Sequence, residues 1–408
     1  MVSTLFTNAT LFDGEADGLR QGYHVLVEGM EIREVSDRPL RSVSAETIDV
    51  KGQTLMPGLI DAHVHVTDHD VSPARLQELP PSWVALKAAK LMREMLFRGF
   101  TSIRDAAGAD SGLARAVEEE LITGPRLFHC GRGLSQTGGH GDFREPGNDV
   151  DPCCYGRTGM TIIADGVSAV RKAAREELRK GAHAIKIMAS GGVTSPSDPL
   201  LGLQYSEDEI RAAVEEAEHR ETYVLAHTYS DEAINRALKC GVRSIEHANF
   251  IELDTAELAE RSGAFVIPTL VTYQAMMDRG EEIGLPAYST KKVSEVHKAG
   301  LKSLEYLKQA GTSTGFGTDL FGPLHDMQSD EFQIRAEVLT PFEILQSATK
   351  INAQLLNMYP KLGCIRPGAL ADLLIIDGNP LRDISLLQRP ERTITHIMKS
   401  GRFYKRPD

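Results

Sequence analysis

Three polar side chains alternate along one short apolar segment of the chain. Asp61, His63 and His65 stand two residues apart in Asp61-Ala-His-Val-His. On a β-strand this spacing directs all three side chains to one face, where two imidazoles can bind the same metal ion. The segment follows an apolar run entered through Pro57-Gly58, which favours the first strand of a buried sheet. Because the chain has 13 histidines, a structural pair is the competing interpretation.

A lysine lies inside an apolar strand further along the chain. Lys186 stands between two isoleucines in Ala184-Ile-Lys-Ile-Met-Ala-Ser-Gly-Gly. A buried ammonium is unfavourable, so either an ion pair or a lowered pKa must relieve it. A neutral amine at this position can add carbon dioxide, and the resulting carbamate would bridge two metal ions as a carboxylate does.

Three more candidate ligands stand at the ends of predicted strands. His227 lies in Leu225-Ala-His-Thr-Tyr and His247 in Ile245-Glu-His-Ala-Asn, each before a loop and a helix. Asp319 closes Gly315-Phe-Gly-Thr-Asp in the same way. Taken singly, such histidines are more often core residues and such an aspartate a helix N-cap. Taken together, they complete a nitrogen and oxygen ligand set suited to zinc or a similar cation.

Helical and strand-like segments alternate from about residue 85 onward, which is typical of repeated βα units around a parallel sheet. Ser206 and Thr340 each start a capping box, and the helix at Thr340 is predicted to run to about Met358. Two other predicted helices begin at about Asp165 and Ser230, and predicted strands cover 182–188, 223–229 and 242–247. The carboxyl ends of barrel strands form a catalytic rim, where the candidate ligands would meet.

Both ends of the chain alternate polar and apolar residues in the manner of strands. Residues 1–56 and the segment 371–377 show this pattern. We therefore expect an α/β fold with a (β/α)8 TIM barrel over residues 57–359. A small β-sandwich domain is expected from residues 1–56 together with 360–408.

The composition narrows the class of protein. The chain has 408 residues, 41% of them hydrophobic and 25% charged, with a formal net charge of -12. This acidic balance, without a lysine- or arginine-rich run, argues against nucleic acid and membrane partners and favours a small molecule. Without an apolar stretch of roughly 18 residues or a signal segment, a cytoplasmic location is expected. The five cysteines, with no CxxC, indicate reduced thiols.

The candidate ligands resemble, in type and order, those of the amidohydrolase superfamily, in its two-metal subtype with a carboxylated lysine. The match includes residues 57–65 and the C-terminal Gly363-Cys-Ile-Arg-Pro-Gly-Ala-Leu-Ala-Asp, and it covers essentially the whole chain. The resemblance implies two divalent cations, with zinc expected, and assembly into homo-oligomers. It assigns His63, His65 and Asp319 to the first cation, His227 and His247 to the second, and carboxylated Lys186 to both.

Two further segments are similar to the branch of metal-dependent Xaa-Pro and Xaa-Arg dipeptidases, the prolidase-like enzymes. They are Leu134-Ser-Gln-Thr-Gly-Gly-His-Gly-Asp and Ile185-Lys-Ile-Met-Ala-Ser-Gly-Gly-Val. The resemblance implies that a hydroxide bridging two metals releases the C-terminal amino acid of dipeptides or N-acyl amino acids, as in a carboxypeptidase.

Three other functions remain open. The same branch contains ochratoxin-type amidases, which split N-aroyl amino acids. A cyclic-amide or lactone hydrolase, or a deaminase, is the second alternative, although Lys186 counts against deaminases because those usually use one metal. A non-catalytic binding protein is disfavoured because every expected ligand is present.

Five residues are candidates for work on the substrate. Asp319 is predicted to accept the proton of the attacking water and pass it to the leaving nitrogen. His140, in a glycine-rich loop, and Tyr229, at a strand end, are candidates to polarise the carbonyl or bind the oxyanion. His325 is a third such candidate, and Arg157 is a candidate partner for a substrate carboxylate. The last four can also be structural or solvated residues.

Overall fold

Strands and helices alternate along the chain between two groups of terminal strands. The computed structural model describes residues 3–76, 78–144, 147, 159–196 and 198–407. The strands are β1 (Ser3–Leu11), β2 (Arg20–Glu28), β3 (Glu31–Ser36), β4 (Glu46–Asp49), β5 (Thr54–Pro57), β6 (Leu59–Val64), β7 (Phe100–Asp105), β8 (Arg126–His129), β9 (Gly133–Ser135), β10 (Thr161–Ile163), β11 (Ile185–Met188), β12 (Val224–Ser230), β13 (Ser244–Phe250), β14 (Phe265–Ile267), β15 (Ser313–Thr314), β16 (Leu373–Ile376), β17 (Ile394–Lys399) and β18 (Arg402–Lys405).

The α-helices of the described ranges lie mostly between successive strands. They are α1 (Pro73–Leu76), α2 (Pro81–Phe97), α3 (Ser111–Glu118), α4 (Val167–Arg179), α5 (Glu207–Glu218), α6 (Asp231–Lys239), α7 (Leu253–Arg261), α8 (Leu270–Ile283), α9 (Ala287–Ala310), α10 (Glu331–Arg335), α11 (Pro341–Gln346), α12 (Asn352–Leu355) and α13 (Pro390–Thr393). Gly322–Asp330 and Ile384–Gln388 form 3-10 helices, and Ser347–Ile351 forms a π-helical turn.

Strands from the two ends of the chain pair into one eight-stranded sheet. Its order is β18-β17-β16-β5-β1-β2-β3, with β4 beside β1. β5 pairs in parallel with β1 and antiparallel with β16, so it joins the N-terminal strands to the C-terminal ones. Phe6, Leu11, Val25, Leu55 and Ile375 belong to one buried apolar cluster of this sheet. The predicted pairing of the two termini is therefore confirmed.

The remaining strands form two parallel sheets. One contains β6, β7 and β8, and the other has the order β10-β9-β11-β12-β13-β14-β15. Backbone hydrogen bonds connect the sheets at both sides: His183 N donates to His129 O at 2.8 Å, and Ala62 N donates to Phe316 O at 2.9 Å. Parallel strands joined by helices confirm the predicted α/β class.

Helix starts follow the predicted capping signals more closely than helix ends. The capping boxes at Ser206 and Thr340 are both present. The late helix ends at Leu355 instead of near Met358, after the π-helical turn. Asn357, with a φ of 56°, adopts the left-handed conformation that commonly terminates a helix.

Two serine N-caps provide a matched test of capping. The Ser206 side chain accepts a hydrogen bond from Glu209 N, whereas Ser230 precedes α6 without a side-chain cap. We expect Ser206→Ala to lower the free energy of unfolding by about 1 kcal/mol. Ser230→Ala should cost less, because its hydroxyl has no hydrogen-bond partner among the described residues. Urea unfolding of both variants measures the difference, and an equal cost would contradict the capping interpretation.

Candidate active site

The six predicted metal ligands line a single cavity at the carboxyl ends of the parallel strands. His63 lies near the end of β6, and His227 and His247 lie in β12 and β13. Lys186 lies in β11, and Asp319 follows β15. With His65 just beyond β6, all six face the same space. Residues that are 256 positions apart in the chain are brought together because parallel strands end at one edge.

Three of these side chains already have the spacing of a metal site. The Asp319 Oδ1 atom lies 3.3 Å from His63 Nε2 and 3.1 Å from His65 Nε2. One ligand atom from each residue lies within 4.8 Å of the others. His63, His65 and Asp319 can therefore hold one cation.

The first two histidines each have one ring nitrogen fixed by a partner. His63 Nδ1 lies 2.5 Å from the Glu246 carboxylate, and His65 Nδ1 lies 2.9 Å from the Ala107 carbonyl oxygen. His63 Nε2 is buried and has no hydrogen-bond partner within the described ranges. Such second partners orient metal-binding imidazoles and fix their tautomer.

The other two histidines follow the same pattern. His247 Nδ1 lies 2.8 Å from the Thr269 hydroxyl, and His227 Nε2 lies 3.1 Å from the Gly191 carbonyl oxygen. In both rings the second nitrogen has no hydrogen-bond partner among the described residues. All four imidazoles thus keep one nitrogen available, and this donor chemistry fits a site for divalent cations.

The backbone at two of these positions is strained. His247 has a φ of 70° and Asp319 has a φ of 53°, in the left-handed region that non-glycine residues rarely adopt. Ala248, next to His247, has a φ of 53°. Strain of this kind collects at functional sites, where the surrounding structure enforces it.

A buried ion pair that the sequence reasoning missed supports His63. Arg104 Nη2 donates to both oxygens of Glu246, at 2.8 and 2.9 Å, and both side chains are buried. Burial raises the pKa of Glu246, but Arg104 and His63 outweigh it and hold this pKa well below its usual range. Glu246 therefore remains a carboxylate that accepts from His63. The sequence did contain a signal for this pair, because Arg104 and Glu246 are charged residues within two otherwise mostly apolar strands.

Lys186 faces the cavity because its neighbours face the other way. Ile185 and Ile187 pack into an apolar cluster with Ile210 of α5, so the alternation of the strand turns Lys186 inward. Burial lowers the pKa of Lys186, while the carboxylates of Glu246 and Asp319 oppose this effect. A lowered pKa favours the neutral amine.

His140 and Tyr229 both line the cavity beside the candidate ligands. The His140 ring stacks on His227 with 4.1 Å between the ring centroids. The Tyr229 hydroxyl lies 2.9 Å from that of Tyr273, a buried residue of the cavity wall that the sequence reasoning also missed. Burial raises the pKa of Tyr229, so its hydroxyl stays protonated and can donate.

Of the other two substrate-binding candidates, only His325 lies in the part of the chain that the structure describes. His325 Nε2 donates to the Asp68 carbonyl oxygen at 2.9 Å, and His325 is not among the described residues that line the cavity. His325 lies in the 3-10 helix that follows Asp319. Arg157 lies outside the described residues. Asp68 itself lines the cavity, and burial raises its pKa to about 7.

Much of the cavity wall is apolar. Its apolar members are Phe143, Met160, Met188, Val193, Met276 and Phe321. Within the described ranges, Lys186 is the only lysine or arginine in the wall. The apolar members of the wall can contact an apolar substrate group. Among the helices of the described ranges, none is long and apolar enough to cross a membrane.

Known proteins resemble this chain in sequence and in structure. A model of the amidohydrolase family matches residues 54–403. Ochratoxinase from Aspergillus niger is 32% identical over 421 residues, covering 99% of this chain and 87% of the relative. A solved amidohydrolase is 51% identical with a TM-score of 0.98, and a solved prolidase complexed with N-methylphosphonate-L-proline is 48% identical with a TM-score of 0.97. Both alignments cover 100% of each chain. The chain is a hydrolase that belongs to the amidohydrolase family.

Proposed function

We propose that the protein is a binuclear metal-dependent amide hydrolase that releases the C-terminal amino acid from dipeptides or N-acyl amino acids. The observation that carries the proposal is the set of four imidazoles around one cavity, each with one nitrogen fixed and one available. The likeness to a prolidase and to ochratoxinase supports an amide as the bond that is cleaved.

The proposed site holds two divalent cations, with zinc as the expected metal. His63, His65 and Asp319 would hold the first, and His227 and His247 the second. Lys186, carboxylated at Nζ, would contact both. When bound, such cations acidify water and polarise an amide carbonyl.

Asp319 is the proposed proton carrier. Burial raises its pKa, but His63 and His247 outweigh burial and hold the pKa well below its usual value, so the carboxylate is ready to accept a proton. It would take the proton of the attacking water and deliver it to the leaving nitrogen, which departs as a neutral amine. Its position between His63 and His65 fixes the oxygen that does this.

Tyr229 is proposed to contact the substrate carbonyl as negative charge develops on its oxygen, and His140 is proposed to contact the substrate beside it. The protonated Tyr229 hydroxyl can donate a hydrogen bond there. The His140 ring is stacked on His227, and the His227 ring in turn lies 4.5 Å from that of His247, measured between ring centroids. The apolar wall would enclose the side chain or acyl group of the substrate.

The proposed architecture is a (β/α)8 barrel with a smaller terminal domain. β6, β7, β8 and β11 to β15 would be its eight strands, with the hydrogen bonds of Ala62 and His183 supporting closure. The barrel would span residues 57–359, and residues 1–56 with 360–408 would form the β-sandwich domain.

An ochratoxin-type amidase is the second candidate. The apolar cavity wall favours it, because an aroyl group is large, flat and uncharged. Comparing kcat/KM for Xaa-Pro dipeptides with that for N-aroyl-phenylalanine separates the two. A strong preference for the aroyl substrate would replace the dipeptidase proposal.

Removal of the metal is the first test of the proposed function. Dialysis against a chelator should abolish release of the amino acid, and added zinc should restore it, because the cations supply the carbonyl polarisation. Ninhydrin assays measure the product, and elemental analysis should find about two metal ions per chain. Full turnover by metal-free protein, or no turnover of any amide by loaded protein, would contradict the proposal.

A further inference from the structure

A buried chain of hydrogen bonds connects His140 to the loop that follows β11. His140 Nδ1 lies 2.8 Å from Ser195 Oγ, and Ser195 Oγ in turn donates to Asp198 Oδ1. Ser195 is fully buried, and Asp198 and His140 retain only 5% and 8% of their exposure. Burying polar groups this deeply costs free energy unless they are hydrogen-bonded, so these hydrogen bonds are part of the structure of the site.

The direction of the protons in this chain follows from the number of donors. A carboxylate can only accept, so the single Ser195 proton goes to Asp198. The Ser195 oxygen must then accept from His140, which places a proton on Nδ1. Nε2 has no hydrogen-bond partner among the described residues, and His140 lines the cavity. Nε2 is therefore the nitrogen presented to the substrate.

Donors around Asp198 keep it in the accepting form. Asp198 Oδ2 accepts from Gly192 N and from Gln204 Nε2, each at 3.0 Å. Lys292 Nζ lies 3.6 Å from Oδ1. Two amide donors and one cation therefore surround the carboxylate. The Ser195 hydroxyl also lies 3.5 Å from the Gly192 carbonyl oxygen, but its contact with Asp198 is the closer one.

The loop itself is held in place from two sides. Gln204 Oε1 accepts from His140 N at 2.8 Å while its amide donates to Asp198. Lys292 Nζ donates to the carbonyl oxygens of Gly192, Ser195 and Asp198 at 2.8, 3.0 and 2.9 Å. Lys292 belongs to α9, so a helix outside the cavity fixes the register of the loop against His140.

Gly192 leaves the space that the His140 ring occupies. A Cβ atom at position 192 would lie 2.1 Å from His140 Cε1. The ring also stacks on His227. The ring is thus in close contact with a glycine and with a candidate ligand, and the bond to Ser195 fixes which of its nitrogens faces the loop.

We propose that Asp198 and Ser195 are positioning residues that hold the proton of His140 on Nδ1 and present the unprotonated Nε2 to the substrate as a hydrogen-bond acceptor. This inference rests on the proposed amide hydrolysis. It assigns a function to two residues of the loop, Ser195 and Asp198. Among the described hydrogen bonds, neither residue contacts any of the six candidate ligands.

The first test compares five variants on an Xaa-Pro dipeptide. Ser195→Ala should lower kcat by about 10- to 100-fold with little change in KM, because it removes the partner of a reacting group. Ser195→Thr keeps the hydroxyl and should recover most of the activity. Ser289→Ala is the matched control, since its buried hydroxyl donates to Val193 O of the same loop without touching His140. In the background of His140→Ala, Ser195→Ala should have no further effect.

Two results of these assays would overturn the proposal. Equal losses in Ser195→Ala and Ser289→Ala would show that only the stability of the loop matters. A further loss from Ser195→Ala on top of His140→Ala would show that Ser195 does not act through this ring.

The second test does not depend on turnover. Nitrogen NMR of protein labelled with ¹⁵N-histidine reports which ring nitrogen carries the proton, and the signals of His140 are those lost in His140→Ala. We expect the proton on Nδ1 in the wild type and a loss of this preference in Ser195→Ala. A wild-type proton on Nε2 alone would overturn the inference. If the wild type hydrolyses no amide although Nδ1 carries the proton, the proposed function is contradicted, whereas the hydrogen-bond chain from Asp198 to His140 is still supported.

Discussion

Asp319→Asn is expected to lower kcat for amide hydrolysis by about a thousandfold or more, since an amide cannot accept the proton that the leaving nitrogen needs. Asparagine keeps the size of the side chain and its oxygen near His63 and His65. The loss should therefore appear in kcat more than in the folding of the protein. Steady-state assays with the variant and the wild type, both loaded with zinc, measure the effect.

The control for this variant is Asp68→Asn. Asp68 also lines the cavity and is buried, but it is not one of the three residues with the spacing of a metal site. Its replacement should cost much less than that of Asp319. Elemental analysis of both variants separates a lost proton carrier from a lost cation. An Asp319→Asn variant with near wild-type kcat would remove Asp319 from the proposed mechanism.

Lys186→Ala is expected to abolish both activity and tight metal binding. If the carbamate contacts both cations, its removal takes one ligand from each. A loss of about a thousandfold or more in kcat/KM is expected, together with a lowered metal content. Lys172→Ala, on the exposed face of α4, is the matched control and should change neither.

The chemical identity of the bridge can be tested apart from the activity. Wild-type protein loaded in the presence of ¹³C-bicarbonate should show a carbamate carbon signal in NMR, and Lys186→Ala should lack it. Loading with zinc in buffer free of carbon dioxide should give low activity that bicarbonate restores. If the Lys186→Ala variant retained both metals and the activity, the carbamate proposal would be contradicted.

The sequence was sufficient to predict that the six candidate ligands would lie near one another, because most of them stand at strand ends. A buried parallel strand presents its last residues to a shared edge, so that His227 and His247 could be placed near Lys186 before the structure was known. The pairing of the terminal strands was likewise predictable from their alternation.

The supporting residues could not be predicted, since they meet only in the folded chain. Arg104 and Glu246 come from strands that are 142 positions apart, and a charged residue in a strand does not indicate its partner. Ser195 and Lys292 similarly join a loop to a distant helix. His325 was predicted at the cavity from its closeness in sequence to Asp319. His325 instead lies within the 3-10 helix Gly322–Asp330, and no periodic pattern in the sequence indicates such a turn.

The terminal sheet also constrains the order in which the chain can fold during synthesis. β5 pairs with β16, whose first residue comes 316 positions after the end of β5. While a ribosome adds those residues, the edge of β5 that β16 will cover has no strand beside it, and unpaired edges promote association between chains. The parallel strands can begin to pack first, and β5 gains its second partner only after β16 has been synthesised. A nascent chain that stalls before Leu373 would therefore carry an open edge that the finished protein does not have.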